Sequence, residues 1–437
     1  MHITMGGWAL GLRWITWPQA AALAIAALVF NAFILPRTGG RRLYRQEDVR
    51  RGAPIGILLY PLSVLLLVLV FPNRLDIVAA AWGVMAAGDG FATIVGRALG
   101  RTPLPWNRDK TAEGTAAFIV AGSAAGVFLA WWVRPAVMPA PAIAFALAAP
   151  IAAAIVAALV ETIPVRLDDN ISVPASAAAT LWMASLIQHD VRTVLADPHY
   201  RRIVLVGIAL NAAVASAGWL ARTVSLSGAL TGMVIGSVIF AGTAWRGWLL
   251  LLAAFVAASV TSRIGLGRKT ALGIAEERGG RRGAGNAIAN TGVAACAAAL
   301  AVLSPYGAVC LLALTAALAA GASDTVASEV GKAWGRRTFL VTSFRPAPPG
   351  TPGAVSLEGT AALVGSAAAL AWLGEGLGLI GYEAIPIVAI AAIAASFVES
   401  ALGATLEPRG ILNNDLLNFI TTASAAALAL VLSDSLR

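Results

Sequence analysis

Apolar runs of about 20 residues alternate with short polar loops along the whole chain, and a run of that length is what an α-helix needs to cross a bilayer. The pattern predicts helices near 14–36, 54–72, 75–97, 114–133, 141–165, 171–188, 202–220, 225–243, 247–264, 284–303, 307–331, 359–373, 379–401 and 411–432, fourteen in all. The fold expected is therefore an all-α polytopic membrane protein. Its runs are rich in Ala and Gly, which suits close helix packing in lipid better than a soluble leucine core. The first run has one arginine before it, Arg13, and the basic stretch 37–51 after it. That is the reverse of a signal peptide's charge order, so the run should remain as a helix with its N-terminus outside.

Composition agrees with this pattern. The 437 residues are 59% hydrophobic and 12% charged, with a mean hydropathy of +0.80, whereas soluble domains carry roughly 25% charged residues. Soluble enzymes and secreted scaffolds are excluded. The net charge of +9 lies in the loops, where it reads as membrane orientation rather than as a nucleic-acid surface. With fourteen alternating helices, 23 of the 31 lysines and arginines fall on one side and 8, together with both termini, on the other. The positive-inside rule makes the first side cytoplasmic. Cys296 and Cys310 fall in apolar runs, and His2, His189 and His199 form no spaced pair. Neither a disulfide framework nor a zinc hydrolase site is expected.

Four polar blocks occur twice in the same order. Arg50-Arg51-Gly52-Ala53 matches Arg281-Arg282-Gly283-Ala284, and the block from Asp89 to Arg101 matches the one from Asp324 to Arg336. Glu113-Gly114-Thr115 matches Glu358-Gly359-Thr360, and Glu161 with Asp168-Asp169-Asn170 answers Glu399 with Asn413-Asn414-Asp415. Chance similarity between alanine-rich helices would repeat alanines, not charged residues and glycines at nearly fixed offsets. The organisation expected is two parallel six-helix repeats, 1–190 and 246–437, the second preceded by a helix pair at 200–245 within one domain of 200–437.

Asp89 sits about eight residues, roughly 12 Å, inside its helix, and Asp324 lies at a comparable depth. An ionisable group there is costly and marks a functional site by default. Asp89, Glu113 and Glu161, and again Asp324, Glu358 and Glu399, are the expected catalytic acids. Asp89, Glu161, Asp169, Asp324, Glu399 and Asp415 offer the hard oxygen ligands that suit Mg²⁺ together with substrate phosphates. Arg50, Arg51, Arg97, Arg101, Lys110, Arg281, Arg282, Lys332, Arg336 and Arg345 would neutralise those phosphates. Glycines 88, 96, 100, 114, 331, 335, 350 and 359 read equally as phosphate-cradling backbone or as close-packing positions. No P-loop is present, but phosphoryl transfer needs chiefly positioning and charge. A site embedded in the membrane implies a lipid acceptor.

At these residues the sequence also resembles known families. The segment from about 40 to 190, through Gly88-Asp89-Gly90-Phe91-Ala92, Lys110-Thr111-Ala112-Glu113-Gly114-Thr115, and Glu161 followed by Asp169-Asn170-Ile171-Ser172-Val173-Pro174, resembles phytol and dolichol kinases, relatives of CDP-diacylglycerol synthase. The segment from about 200 to 437, through Ser227-Gly228-Ala229, Ala322-Ser323-Asp324-Thr325-Val326-Ala327-Ser328-Glu329, 350–356 and Asn414-Asp415-Leu416-Leu417-Asn418-Phe419, resembles the "domain of unknown function 92" family, which includes plant phytyl-phosphate kinase. The resemblance implies CTP or another nucleoside triphosphate as donor, Mg²⁺, and a prenol or prenyl-phosphate substrate. Two other readings stand beside it. The first half would act as a lipid cytidylyltransferase, or the six-helix repeats would form a transporter.

Overall fold

The computed structural model describes residues 2–38, 55–274 and 282–435, which form two compact units, Met1–Leu186 and Ile187–Arg437. Unit 1 contains α1 (Trp17–Ile34), α2 (Ile55–Val70), α3 (Leu75–Leu99), α4 (Ala112–Val133), α5 (Ile143–Glu161) and α6 (Asp169–Ser185). Unit 2 contains α7 (Pro198–Leu220), α8 (Leu226–Arg263), the short α9 (Leu266–Ala271), α10 (Ala284–Leu303), α11 (Gly307–Trp334), α12 (Leu357–Gly376), α13 (Ala384–Thr405) and α14 (Asn414–Ser435).

The chain is a multi-pass, all-α membrane protein, and 11 helices among the described residues are long and apolar enough to span. This is fewer than the fourteen spans expected from hydropathy. Helix α2 has only 16 residues and α6 only 17, with Pro61 and Pro174 inside them. Helix α8 runs for 38 residues but leaves helical geometry at Ala244, with φ 52° and ψ −145°. Gly228 near its start and Ala258 near its end line one cavity. Since 30 residues of straight helix would hold them about 45 Å apart, the chain must reverse at Ala244, and α8 is a hairpin of two arms.

Small residues set the packing in both units. Gly114 approaches Gly96 so closely that a Cβ on Gly114 would stand 3.3 Å from the Gly96 Cα and 3.1 Å from the Ala92 carbonyl, which seats α4 against α3. In unit 2 a Cβ on Gly359 would stand 3.5 Å from the Gly331 Cα and 2.8 Å from the Ala327 carbonyl, seating α12 against α11. Lipid tails are as apolar as leucine, so this steric fit, not transfer from water, holds such helices together. Helix α11 is the centre of unit 2, with 78% of its span buried against 11% for α7.

The crossing helices begin and end alike. Thr111 Oγ1 accepts from the Gly114 N–H at 3.2 Å, and Ser356 Oγ from the Gly359 N–H at 3.0 Å, so a hydroxyl caps α4 and α12 in the same way. The N–H groups of Gly100 and Gly335 return to the carbonyls of Gly96 and Gly331. The units differ where α11 meets α12. There a two-stranded antiparallel sheet, β1 (Thr338–Leu340) and β2 (Ala354–Ser356), pairs Thr338 with Ser356.

Candidate active site

In unit 1 the turn that carries Asp89 is a π-helical segment, Val84–Asp89, within α3. Such a widened turn breaks the side-chain phase of a helix and recurs at functional sites. Glu161 ends α5, and Asp169 opens α6 after Asp168 has capped it by accepting from the Asn170 N–H at 2.9 Å. One carboxylate oxygen from each of Asp89, Glu161 and Asp169 lies within 4.8 Å of the others. Lys110 reaches into this group from the loop before α4, with Nζ 2.5 Å from Glu161 and 3.3 Å from Asp169. Burial opposes protonation of Lys110, but the charges of Asp169 and Glu161 outweigh it and hold the ammonium above the ordinary lysine range.

The donor set fits a hard divalent cation. Three carboxylates converge, all donors are oxygen, and the ammonium among them marks the place as one that calls for positive charge. Lys110 thus meets the acids directly.

In unit 2 the corresponding acids line a cavity of about 330 Å³. Asp324 from α11 and Glu399 from α13 face each other there, and the Thr421 hydroxyl of α14 donates to Glu399. Lys332 and Glu407 share the lining, and burial raises the Glu407 carboxyl above its ordinary range, partly offset by Lys332. The Pro/Gly loop before β2 forms another part of the lining. Gly353 sits there with φ 72°, where a Cβ would come within 2.3 Å of the Ser400 carbonyl and 2.4 Å of the Ala404 nitrogen. Only glycine lets this loop lie on α13 beside Glu399.

Several expected site residues are placed elsewhere. Asn414 lines the cavity, but Asp415 turns to α10, where a Cβ on Gly285 would meet its carboxylate at 2.2 Å, so the metal set expected in unit 2 comes together only as Asp324 and Glu399. Glu113 ties down the preceding loop, accepting from the Thr102 hydroxyl at 2.9 Å and the Thr102 N–H at 3.3 Å. Glu358 occupies the first turn of α12, with one carboxylate oxygen buried and without a hydrogen-bond partner among the described residues. Arg97, Arg101, Arg336 and Arg345 are exposed, and Arg282 borders a different cavity. Arg50, Arg51 and Arg281 lie outside the described residues. Glycines 88, 96 and 114 serve helix packing, with Gly88 against the Phe118 ring, whereas Gly331, Gly350 and Gly359 line the cavity, Gly359 while also seating α12 on α11.

Two residues not singled out from sequence complete the picture. Glu329, on the α11 turn after Asp324, accepts from Lys332 at 2.9 Å and from the buried Lys269 of α9 at 2.6 Å. It therefore fixes a lysine of the cavity wall to a second helix. Glu329 lies inside the repeated block, and that was the available signal. Lys269 looked like any loop cation.

The family described as integral membrane protein DUF92 matches residues 209–426. An uncharacterized membrane protein of Synechocystis sp. is 44% identical over 200 residues, 45% of this chain and 78% of its own length. Protein VTE6 of Arabidopsis thaliana, a chloroplastic protein, is 33% identical over 48% of this chain and 65% of its own length. A probable phytol kinase of Zea mays is 34% identical over 36% of this chain, and the match spans 54% of that protein. No solved structure matches the chain significantly.

Proposed function

The chain belongs to the DUF92 family of integral membrane proteins, and from that premise we propose that it is a membrane kinase that phosphorylates a prenyl alcohol, a prenyl monophosphate, or both in sequence, at the expense of a nucleoside triphosphate such as CTP. The observation that carries the reading is the acid pair with a lysine beside it in each unit, Asp89 and Glu161 with Lys110, and Asp324 and Glu399 with Lys332. Similarity to a probable phytol kinase supports the choice of acceptor. The common hydroxyl caps and Gly–Gly crossings support reading the halves as parallel repeats, and the distribution of arginine and lysine supports a cytoplasmic site.

In the reaction proposed, an acceptor oxygen forms a bond to the γ-phosphorus while the bond from that phosphorus to the bridging oxygen breaks, and the nucleoside diphosphate leaves. Mg²⁺ held by Asp89, Glu161 and Asp169, or by Asp324 and Glu399, would neutralise charge on the transferring phosphates. Lys110 and Lys332 supply further positive charge as the phosphates arrive. An alcohol must also lose its proton, and in unit 1 a carboxylate of the trio would take it. A lipid monophosphate already offers an anionic oxygen, so unit 2 needs no base and Asp324 and Glu399 act by charge and position.

Purified protein in lipid nanodiscs, given γ-labelled CTP or ATP and a panel of prenols and prenyl monophosphates, tests this. Label should move to the lipid with release of the nucleoside diphosphate. Release of pyrophosphate with CMP left on the lipid would replace the kinase by a cytidylyltransferase, and no transfer with any donor would overturn the enzymatic reading.

A further inference from the structure

The two units share their hydroxyl caps and Gly–Gly crossings, yet Thr111 follows Gly100 by 11 positions whereas Ser356 follows Gly335 by 21. The extra chain of unit 2 folds into a small β-hairpin. Strand β1 pairs with β2, and it also pairs with the segment that returns from the turn: the Leu340 N–H donates to the Arg345 carbonyl at 3.0 Å and the Ala347 N–H to the Thr338 carbonyl at 3.0 Å. The Phe344 N–H closes the turn on the Leu340 carbonyl at 2.8 Å.

The tip of this hairpin presents an apolar ring. Phe344 holds φ 54°, a left-handed conformation that a bulky residue rarely adopts, and it is 78% exposed. Its ring stacks on Phe339 with centroids 6.0 Å apart. Water does nothing to offset that conformation, whereas an apolar environment for the ring does. Trp334 at the end of α11 and Leu357 at the start of α12, between which the hairpin is strung, are exposed as well. Irregular backbone facing lipid is not tolerated in the hydrocarbon core, so the hairpin belongs at the border of the bilayer or beyond it. Aromatic rings beside arginines are the side chains that settle at that border.

Charge points the same way. From 333 to 357 the chain carries Arg336, Arg337 and Arg345 and no acid. All three are exposed, none lines the unit 2 cavity, and none forms an ion pair among the described residues. Arg336 and Arg345, expected beside substrate phosphates, are on the surface instead.

We propose that the hairpin 336–347 docks on the bilayer surface, with Phe344 entering the headgroup region and the three arginines recognising anionic phospholipid. A charge of +3 without an acid complements such a surface, and each arginine near it strengthens attachment by about fivefold. Thr338 both lines the unit 2 cavity and pairs with Ser356, the cap of α12. Docking therefore holds one wall of that cavity at the membrane surface. The proposal stands apart from the kinase reading, and its test reads no activity.

The full chain with Cys296→Ala, Cys310→Ala and Ser343→Cys, checked for monodispersity, carries an environment-sensitive fluorophore at position 343. It is placed in nanodiscs of phosphatidylcholine alone or mixed with phosphatidylglycerol, each with the same share of phosphatidylcholine bearing a nitroxide on its acyl chain. Quenching should be at least about twofold stronger with phosphatidylglycerol, and the difference should shrink at about 1 M salt. Phe344→Ser should reduce quenching in both lipids, and Arg336→Gln, Arg337→Gln and Arg345→Gln together should remove the effect of phosphatidylglycerol. A label unquenched in both lipids puts the hairpin in water, overturns the proposal and leaves the surface to a soluble partner. Equal quenching in the two lipids, or a phosphatidylglycerol effect that survives loss of the three arginines, overturns the recognition of anionic lipid.

Discussion

Lys269 Nζ lies 2.6 Å from Glu329 Oε2, and the two side chains are only 1% and 3% exposed. Lys269 also donates to the Ser262 carbonyl at 2.7 Å, while the neighbouring Arg268 donates to the Ala333 carbonyl at 2.9 Å. The short helix α9 is thus locked against the end of α11 by a buried ion pair and a carbonyl cap. Breaking such a pair strands a buried charge, which costs about 3–5 kcal/mol, whereas replacing both partners with apolar groups is often nearly neutral. Lys269→Met or Glu329→Gln alone should lower the melting temperature clearly, and the double change Lys269→Met with Glu329→Leu should recover much of the loss. Thermal melts in detergent check this; additive losses in the double variant would contradict it.

The candidate site was legible where chemistry repeats. Asp89, Asp324, Glu161 and Glu399 stood out because charge inside an apolar run is costly and the same charges recur at the same offsets. What stayed hidden depends on helix phase and on tertiary closure. Asn414 and Asp415 are consecutive, so on a helix they point about 100° apart, and only Asn414 reaches the cavity. The burial of Lys269 needs α9 to fold back onto α11, which no local pattern records. Hydropathy bracketed the junction of the two arms of α8 between 243 and 247, but no pattern marks Ala244 as the residue that leaves helical geometry. Strands of three residues beside a Pro/Gly loop leave no alternation long enough to read.

The Pro/Gly loop that walls the unit 2 cavity depends on Gly353. An alanine there would hold a left-handed φ of 72° and push a methyl group into the backbone of α13. The conformational term alone is roughly 1–2 kcal/mol, and the steric conflict adds to it. Gly353→Ala should displace the loop and depress phosphorylation of a lipid monophosphate by tenfold or more, on the order of 1.4 kcal/mol, with little change in the melting of the rest of the protein. Unaltered kinetics would show that the loop takes no part in catalysis.

Glu407 predicts a pH effect on stability. Burial raises its carboxyl in the folded protein, so folding favours the protonated form. The stabilisation is complete below the unfolded value of about 4.3 and is lost as pH rises through the raised folded value. Glu407→Gln, which stays neutral, should therefore match the native chain near pH 4 and exceed it in thermal stability at neutral pH. A gap that shrinks or reverses with rising pH would mean that Lys332 dominates at this position.

The two acid clusters make opposite predictions for the two steps of a phosphorylation relay. Asp89 shares its cluster with Glu161 and Asp169, and Asp324 shares its cavity with Glu399, so each unit holds its own acids. An Asp→Asn change keeps the shape and removes the charge. Asp324→Asn should leave alcohol phosphorylation intact and let the monophosphate accumulate, with at least about a hundredfold loss of diphosphate formation, or roughly 2.7 kcal/mol of transition-state stabilisation. Asp89→Asn should abolish use of the alcohol yet still convert supplied monophosphate. Chelation of divalent ions should stop both steps in the native chain, and Mn²⁺ binding followed by electron paramagnetic resonance should fall in Asp89→Asn without a change in melting. Loss of both steps in either folded variant would mean that the halves share one site, and the relay would have to be given up.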